Sequence, residues 1–275
     1  MSGQTDTREL MGATDPMVVA VGNPEGDELA ECRKLLRCQS SLREFATIAE
    51  ALPALGRQPK LDWIVVWQPR PARISQAAIE QLRQARPVCR LIEVAGVWCE
   101  GEPASGHPIG GVHRVYWYEF PWRWAGVCRQ RGQGRLDEWS LPATTTRGDR
   151  SLGAPRIEPA AASLARRSAA ILAESKIDYE AVAALCRLAG ADVHHEIPAQ
   201  WDPDPDRDEL VIWNRGMSRE SDQELPADVA RSSGPKLVLL DFPRPHEVVL
   251  WRSRGWDVAA RPFRWADLLA WSAQL

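Results

Sequence analysis

Polar side chains of three kinds stand at matching places in the two halves of this 275-residue chain: Gln68, Glu93 and Arg123 in the first, Asn214, Asp241 and Arg264 in the second. Each carboxamide follows a tryptophan, Trp67 in DWIVVWQPRP (62–71) and Trp213 in DELVIWN (208–214). A carboxylate, an amide and a guanidinium around an indole can bind a small polar ligand, because the guanidinium fork matches a carboxylate and the amide both donates and accepts. The same groups can instead form a hydrogen-bonded plug, since buried polar groups must find partners. Residues shared by two halves report shared structure first, and the sequence leaves both readings open.

Covalent and metal chemistry find less support. No Ser stands in a G-x-S-x-G setting, and no Cys has a His partner evident along the chain. Gly132-Gln133-Gly134 and Ser232-Ser233-Gly234 lack the strand-to-helix context of a phosphate cradle. Strand alternation would put His194 and Glu196 on one face, but two such groups without a third ligand read as a polar strand edge. The acidic run DPDPDRD (202–208) lacks the glycine turn and terminal glutamate of a calcium loop. Cys32, Cys38, Cys89, Cys99, Cys128 and Cys186 include no C-x-x-C pair, so they are expected as reduced, mostly buried thiols. We expect neither a metal nor a cofactor.

A net charge of −3 leaves no electrostatic footprint for nucleic acid or an anionic membrane. No run approaches the roughly 20 apolar residues that span a bilayer, and the N-terminus lacks the basic start and apolar core of a secretory signal. A cytoplasmic protein is expected. Aromatic usage leans on tryptophan, with 13 Trp against 4 Phe and 3 Tyr, and indoles can fill a core or form a binding face. They are densest in HRVYWYEFPWRW (113–124), where Tyr116, Trp117, Tyr118, Trp122 and Trp124 read either as an interaction face or as a half-buried strand leading into a helix.

The elements that would position these groups repeat. Val18 to Val21 and Ala169 to Ala173 read as buried strands. Each is followed by a helical pattern, through Leu29, Cys32, Leu35 and Leu36 and through Tyr179, Val182, Leu185 and Cys186, with Asp27 and Asp178 as candidate N-caps. The tryptophan strands are apolar on both faces, as central parallel strands are. Helices are expected over 74–85 and 222–231, then strands at 91–94 and 237–242. Each half closes on a strand and a short motif, Pro121-Trp122-Arg123-Trp124 and Pro262-Phe263-Arg264-Trp265. Alternating strands and helices imply a parallel sheet covered on both faces, and the repeated order implies an internal duplication. The expected layout is a disordered tail (1–16), a first domain (17–129), a Gly/Pro/Ser/Arg-rich linker (130–166) gripped at Trp139 and Leu141, and a second domain (167–275).

On these residues both halves resemble receiver domains of two-component response regulators. WRSRGWDVAARPF (251–263) is similar to the family's helix, Gly-Ala-Asp, strand and Lys-Pro-Phe sequence, and the strand at 62–67 with Pro71 four residues on is similar to its third strand. The resemblance implies two flavodoxin-like three-layer α/β/α domains, each with a five-stranded parallel sheet. In that family an acidic pair after strand 1 and a phosphoacceptor Asp after strand 3 hold magnesium. Here the acidic pair reads Gly22-Asn23 and Glu174-Ser175, the phosphoacceptor positions fall on Trp67 and Trp213, and the family's lysine appears as Phe120 and Arg261. An indole offers neither a metal-binding oxygen nor a nucleophile. In the first half, 101–111 looks like a loop where the family has helix 4. The resemblance therefore implies degenerate receivers: a non-catalytic regulatory or scaffolding protein acting through a protein partner or self-association. The alternative is a small-molecule sensor using the carboxyl edge of one or both sheets.

Overall fold

The computed structural model describes residues 15–58, 60–102, 106–140, 164–165, 167–198, 201, 209–215, 232–272 and 274–275. The acidic run 202–208, the helix expected over 222–231, Leu141 and most of the N-terminal tail and linker lie outside the described residues. The chain divides into two compact units, Met1–Thr145 and Thr146–Leu275.

In the first unit the strands are β1 (Met17–Val21), β2 (Ser41–Phe45), β3 (Trp63–Gln68), β4 (Arg90–Ala95) and β5 (His113–Tyr116). All pair in parallel, in the order β2-β1-β3-β4-β5. The helices are α1 (Asp27–Gln39), α2 (Ile48–Leu55), α3 (Gln76–Ala85) and α4 (Phe120–Gly132). The second unit repeats the plan with β6 (Ser168–Leu172), β7 (Asp192–Glu196), β8 (Leu210–Asn214), β9 (Lys236–Leu240) and β10 (Asp257–Ala260), paired as β10-β9-β8-β6-β7. Its described helices are α5 (Lys176–Leu188), α6 (Pro245–Ser253) and α7 (Trp265–Ser272). Read from the second strand, both sheets have the 2-1-3-4-5 order of a flavodoxin-like fold.

One face of the first sheet packs Val19, Val21, Ile64, Val66 and Leu91 against Ile48, Ala51 and Leu55 of α2 and Ile79 and Leu82 of α3. The other face carries α1 and α4 on an aromatic cluster. Trp63 meets Trp124 edge-on at 5.1 Å and Trp139 at 5.8 Å, while Phe120 stacks with Trp124 at 5.9 Å. The Trp124 indole also donates to Gln39 Oε1 at the end of α1 (2.9 Å).

Trp139 moves the domain boundary. Its short 3-10 turn, Glu138–Ser140, belongs to the first unit, and the Arg90 guanidinium donates to the Ser140 carbonyl at 3.0 Å. The first domain therefore ends no earlier than Ser140. The expected linker start at 130 falls inside α4, whose last residue is Gly132. Between β4 and β5 the described chain forms a 3-10 turn (Val97–Cys99) and an open stretch from Gly106. The two first helices are not capped by the expected aspartates. Gly26, at φ 97°, precedes α1, while Ser175 caps α5 by accepting from the Asp178 amide at 3.1 Å. Asp178 is the third residue of its helix, where its carboxylate receives the Ser175 hydroxyl at 2.6 Å.

Candidate functional site

Strand register decides which residues of the two units correspond. Trp63 pairs with Val18 of β1, and Leu210 pairs with Ala169 of β6. Counting along the strands makes Asn214, and not Trp213, the counterpart of Trp67. The packing agrees. Trp67 alternates onto the face of Trp63, the side of α1 and α4. Trp213 lies on the side of α6, 5.3 Å from Trp251 and 6.2 Å from Trp256, whereas its neighbour Asn214 faces α5. The repeated tryptophan is therefore a coincidence of composition, since a one-residue shift along a strand reverses the face.

The same register separates the other expected pairs. The pairings Trp67–Val94 and Asn214–Leu239 place Asp241 opposite Gly96, and Glu93 opposite Val238. The pairings Ala95–Tyr116 and Ala260–Leu240 place Arg261 opposite Trp117, and Arg264 opposite Phe120. The PWRW motif lies inside α4, with Pro121 in the first turn where a missing amide costs nothing, while PFRW leads into α7, which begins at its Trp265.

In the second unit the carboxyl edge carries a closed polar network. Arg261 clasps Asp241 with both ends of its fork, Nε to Oδ1 at 3.0 Å and Nη2 to Oδ2 at 2.7 Å. Its Nη1 reaches Asn214 Oδ1 at 3.3 Å and lies 3.5 Å from Asp178 Oδ1. The Asn214 amide donates to the Asp178 carbonyl at 2.8 Å, tying β8 to the start of α5. The bonds to Asp241 hold the Arg261 guanidinium more firmly protonated than usual. Arg264 is not the partner of Asp241; it serves α7, its amide donating to Asp267 Oδ2 at 3.0 Å. Beside the network Phe242 is 70% exposed and adopts φ 48°, a conformation bulky residues avoid.

The first unit's edge is different in kind. Where the second has Asn214 and Arg261, it has Trp67 and Trp117, both about 1% exposed. Gln68 points to the opposite face, and its Oε1 accepts from the Ile74 amide at 2.9 Å, folding back the loop after β3. Glu93 does not meet Arg123. Its side chain lies on the α2 and α3 face, and the cross-strand neighbour Arg114 binds it through Nε (2.9 Å) and Nη2 (2.6 Å). Arg114 also holds Glu102 at 2.6 Å. Burial pushes the Glu93 carboxyl above its ordinary value, while Arg114 pulls it down. Arg123, on the other face of the sheet, pairs with Glu119 one turn back at 3.1 Å and lies over the Trp122 ring at 4.6 Å. Of the expected set, Gln68 and Glu93 are buried and bonded within the first unit, and Asn214, Asp241 and Arg261 meet at one edge.

The aromatic stretch is core. Trp117, Tyr118, Trp122 and Trp124 are buried, and half-buried Tyr116 stacks on Tyr118 at 5.6 Å. Eleven of the thirteen tryptophans are buried and Trp265 is half-buried, which leaves Trp98, 69% exposed, as the exception. Trp98 follows β4 at the carboxyl edge of the first sheet, with the Arg70 guanidinium 5.9 Å from its ring centre. Beside it, Arg73 meets Glu25 at 3.1 Å. Sequence reasoning missed Trp98, Arg114 and Glu102; only the position of Trp98 just past a buried strand hinted at exposure.

His194 lies 3.4 Å from Glu209 and 3.7 Å from Glu196, and Glu209 also accepts the Ser168 hydroxyl at 2.5 Å. Here the carboxylate sits between hydroxyl and imidazole, so the imidazole does not address the serine and the Ser-His-Asp order is not reproduced. His195 points the other way, stacking on Tyr179 at 4.6 Å. Among the described residues no group of three His, Cys, Asp or Glu could hold a metal ion, and no helix is long and apolar enough to cross a membrane. Comparison of the sequence with protein-family models and with curated proteins finds no match.

Proposed function

We propose that this is a non-catalytic regulatory or scaffolding protein, built from two degenerate receiver-like domains, that binds a protein partner through the carboxyl edge of its first sheet. The observation that carries this reading is Trp98, an exposed indole beside an arginine in a protein that buries eleven of its thirteen tryptophans. Tryptophan and arginine are enriched among residues that dominate interface energetics, and a carboxyl edge is where open α/β sheets bind. The residues at the two degenerate positions support the same reading. Trp67 and its counterpart Asn214 offer no phosphoacceptor carboxylate, and the guanidinium of Arg261 is already engaged by protein groups.

The test is cross-linking of the full chain in its native extract, comparing wild type, Trp98→Ala and a surface control, Leu136→Ala. Loss of a specific cross-linked protein in Trp98→Ala alone supports the reading, whereas equal capture by all three overturns it. A small-molecule sensor is the second reading. It is favoured by the partly exposed Asn214, Asp241 and Arg261 network beside Phe242, and metabolite-induced protection of 210–215 and 241–245 from hydrogen exchange would select it.

A further inference from the structure

The first helices of the two units are copies of one frame. α1 buries Leu29, Cys32 and Leu36, and α5 buries Tyr179, Val182 and Cys186 at the same three-and-four spacing, with Ala183 beside them. The outward stripe of each helix can therefore be compared residue by residue. On α1 it reads Asp27, Glu31, Lys34 and Cys38, all exposed. On α5 the same places hold Ile177, Ala181, Ala184 and Leu188, also all exposed, with Ile177 at 83% and Leu188 at 67%. At 100° per residue the four positions fall within about 60° of one another, so they form a continuous apolar seam along the helix. One copy solvates this face and the other presents it bare.

We propose that the outward face of α5 is a self-association surface, pairing with the same helix of a second copy in antiparallel fashion. The spacing of the stripe, four, three and four residues, is that of a helix–helix seam. A twofold axis between Ala181 and Ala184 sets Ile177 of one copy against Leu188 of the other, with the two alanines allowing close approach at the centre. The flanking charges are self-complementary in this arrangement. Glu180 and Arg187 border the seam on the same side, two turns apart, and now pair with each other at 3.0 Å within one chain. Antiparallel pairing brings Glu180 of one copy toward Arg187 of the other, at both ends of the seam. In a parallel pair the same flank would fall on opposite sides of the seam, and Glu180 and Arg187 would not meet across it. Thirteen residues give a helix about 20 Å long, too short to bury a standard-sized interface, so the dimer is expected to be concentration-dependent, roughly micromolar or weaker. The seam is separate from Trp98, and its test stands whether or not that edge binds anything.

The experiment is sedimentation velocity of the full chain over a concentration series, for wild type, Ala181→Glu, Glu180→Arg, Arg187→Glu and the Glu180→Arg/Arg187→Glu double variant. All substituted side chains are exposed, so circular dichroism is expected to stay at wild type. Wild type should shift toward twice the chain mass as concentration rises. Ala181→Glu should weaken dimerisation by at least about 30-fold, each single reversal should weaken it, and the double reversal should restore it. A monomer throughout the series would overturn the proposal, as would a dimer indifferent to Ala181→Glu. A double reversal no better than the singles would overturn the antiparallel arrangement. Loss of thermal stability in a strictly monomeric Ala181→Glu would likewise sink it, because the seam would then be covered within one chain.

Discussion

Replacing Arg114 by Gln should destabilise the first domain severely, and the structure sets the size of the effect. Three hydrogen bonds tie Arg114 to Glu93 and Glu102, and the three side chains are 10%, 0% and 5% exposed. Removing the guanidinium leaves two carboxylates facing each other out of water, a loss of about 3–5 kcal/mol. For a domain of this size that lowers the melting temperature by roughly 10–20 °C. Glu93→Gln acts differently, because it removes the excess negative charge and leaves Arg114 and Glu102 matched one to one; its cost should stay within about 1 kcal/mol. The sign of the pH dependence follows from the raised Glu93 carboxyl. The folded state holds that proton more tightly than the unfolded chain, so the contribution of Glu93 to stability falls as pH rises from about 4.5 through its folded value. The difference between wild type and Glu93→Gln should therefore shift in favour of the variant over that window. Calorimetry of the full chain, with hydrogen exchange of β4 and β5 to assign the transition, reads both quantities. An Arg114→Gln protein melting within about 2 °C of wild type, or a Glu93→Gln protein equally damaged, would refute the reasoning.

Two further outcomes follow from burial. Trp139→Ala should cost about 3–5 kcal/mol, because its indole packs on Trp63, Phe120 and Trp124, and a first domain truncated at residue 129 should fail to give a cooperative melt; an intact melt would return 130–140 to the linker. Alkylation at pH 8 with peptide mapping should label exposed Cys38 first. Burial pushes the thiols of Cys99, Cys128 and Cys186 up to about 12 and that of Cys89 to about 11, so these should react only as the fold opens, and equal labelling would contradict their environments.

The architecture was legible because it rests on patterns that solvent enforces. Apolar runs at 18–21, 63–67, 91–94, 169–172 and 237–240 became central strands, and helical spacing over 29–36 and 179–186 became α1 and α5. The expected site was legible only in part. Asn214 and Asp241 do meet at one edge, but through Arg261, the first residue after β10, while the Arg264 amide bonds Asp267 in α7. Glu93 and Arg123 looked like their counterparts because residue types and order matched. Glu93 is nevertheless three positions upstream of Asp241's place, and Arg123 lies on the opposite face of the sheet. Composition cannot reveal such an offset, because a strand carries side chains to alternate faces and the number of residues in each loop sets the register. The buried aromatic stretch misled for a related reason: indole is equally at home in a core or an interface, and only Trp63, Trp124 and Trp139 packing together decides for the core.

Correct register also changes what the duplication implies. Had Trp67 and Trp213 been equivalent, the two carboxyl edges would be alike and the domains interchangeable. Instead one edge places buried Trp67 and Trp117 where the other places Asn214 and Arg261. The first helices diverge in the opposite sense, charged on the unit with the aromatic-filled edge and apolar on the unit with the polar edge. Two copies kept for bulk alone would have no reason to differ at both their edge and their outward helix while retaining the same spacing of buried residues in α1 and α5. The differences reach both the carboxyl edge and the outward helix face, while the spacing of the buried positions in α1 and α5 is shared. That distribution supports a division of labour, with the exposed Trp98 edge of the first domain for a foreign partner and the bare α5 seam of the second for a second copy.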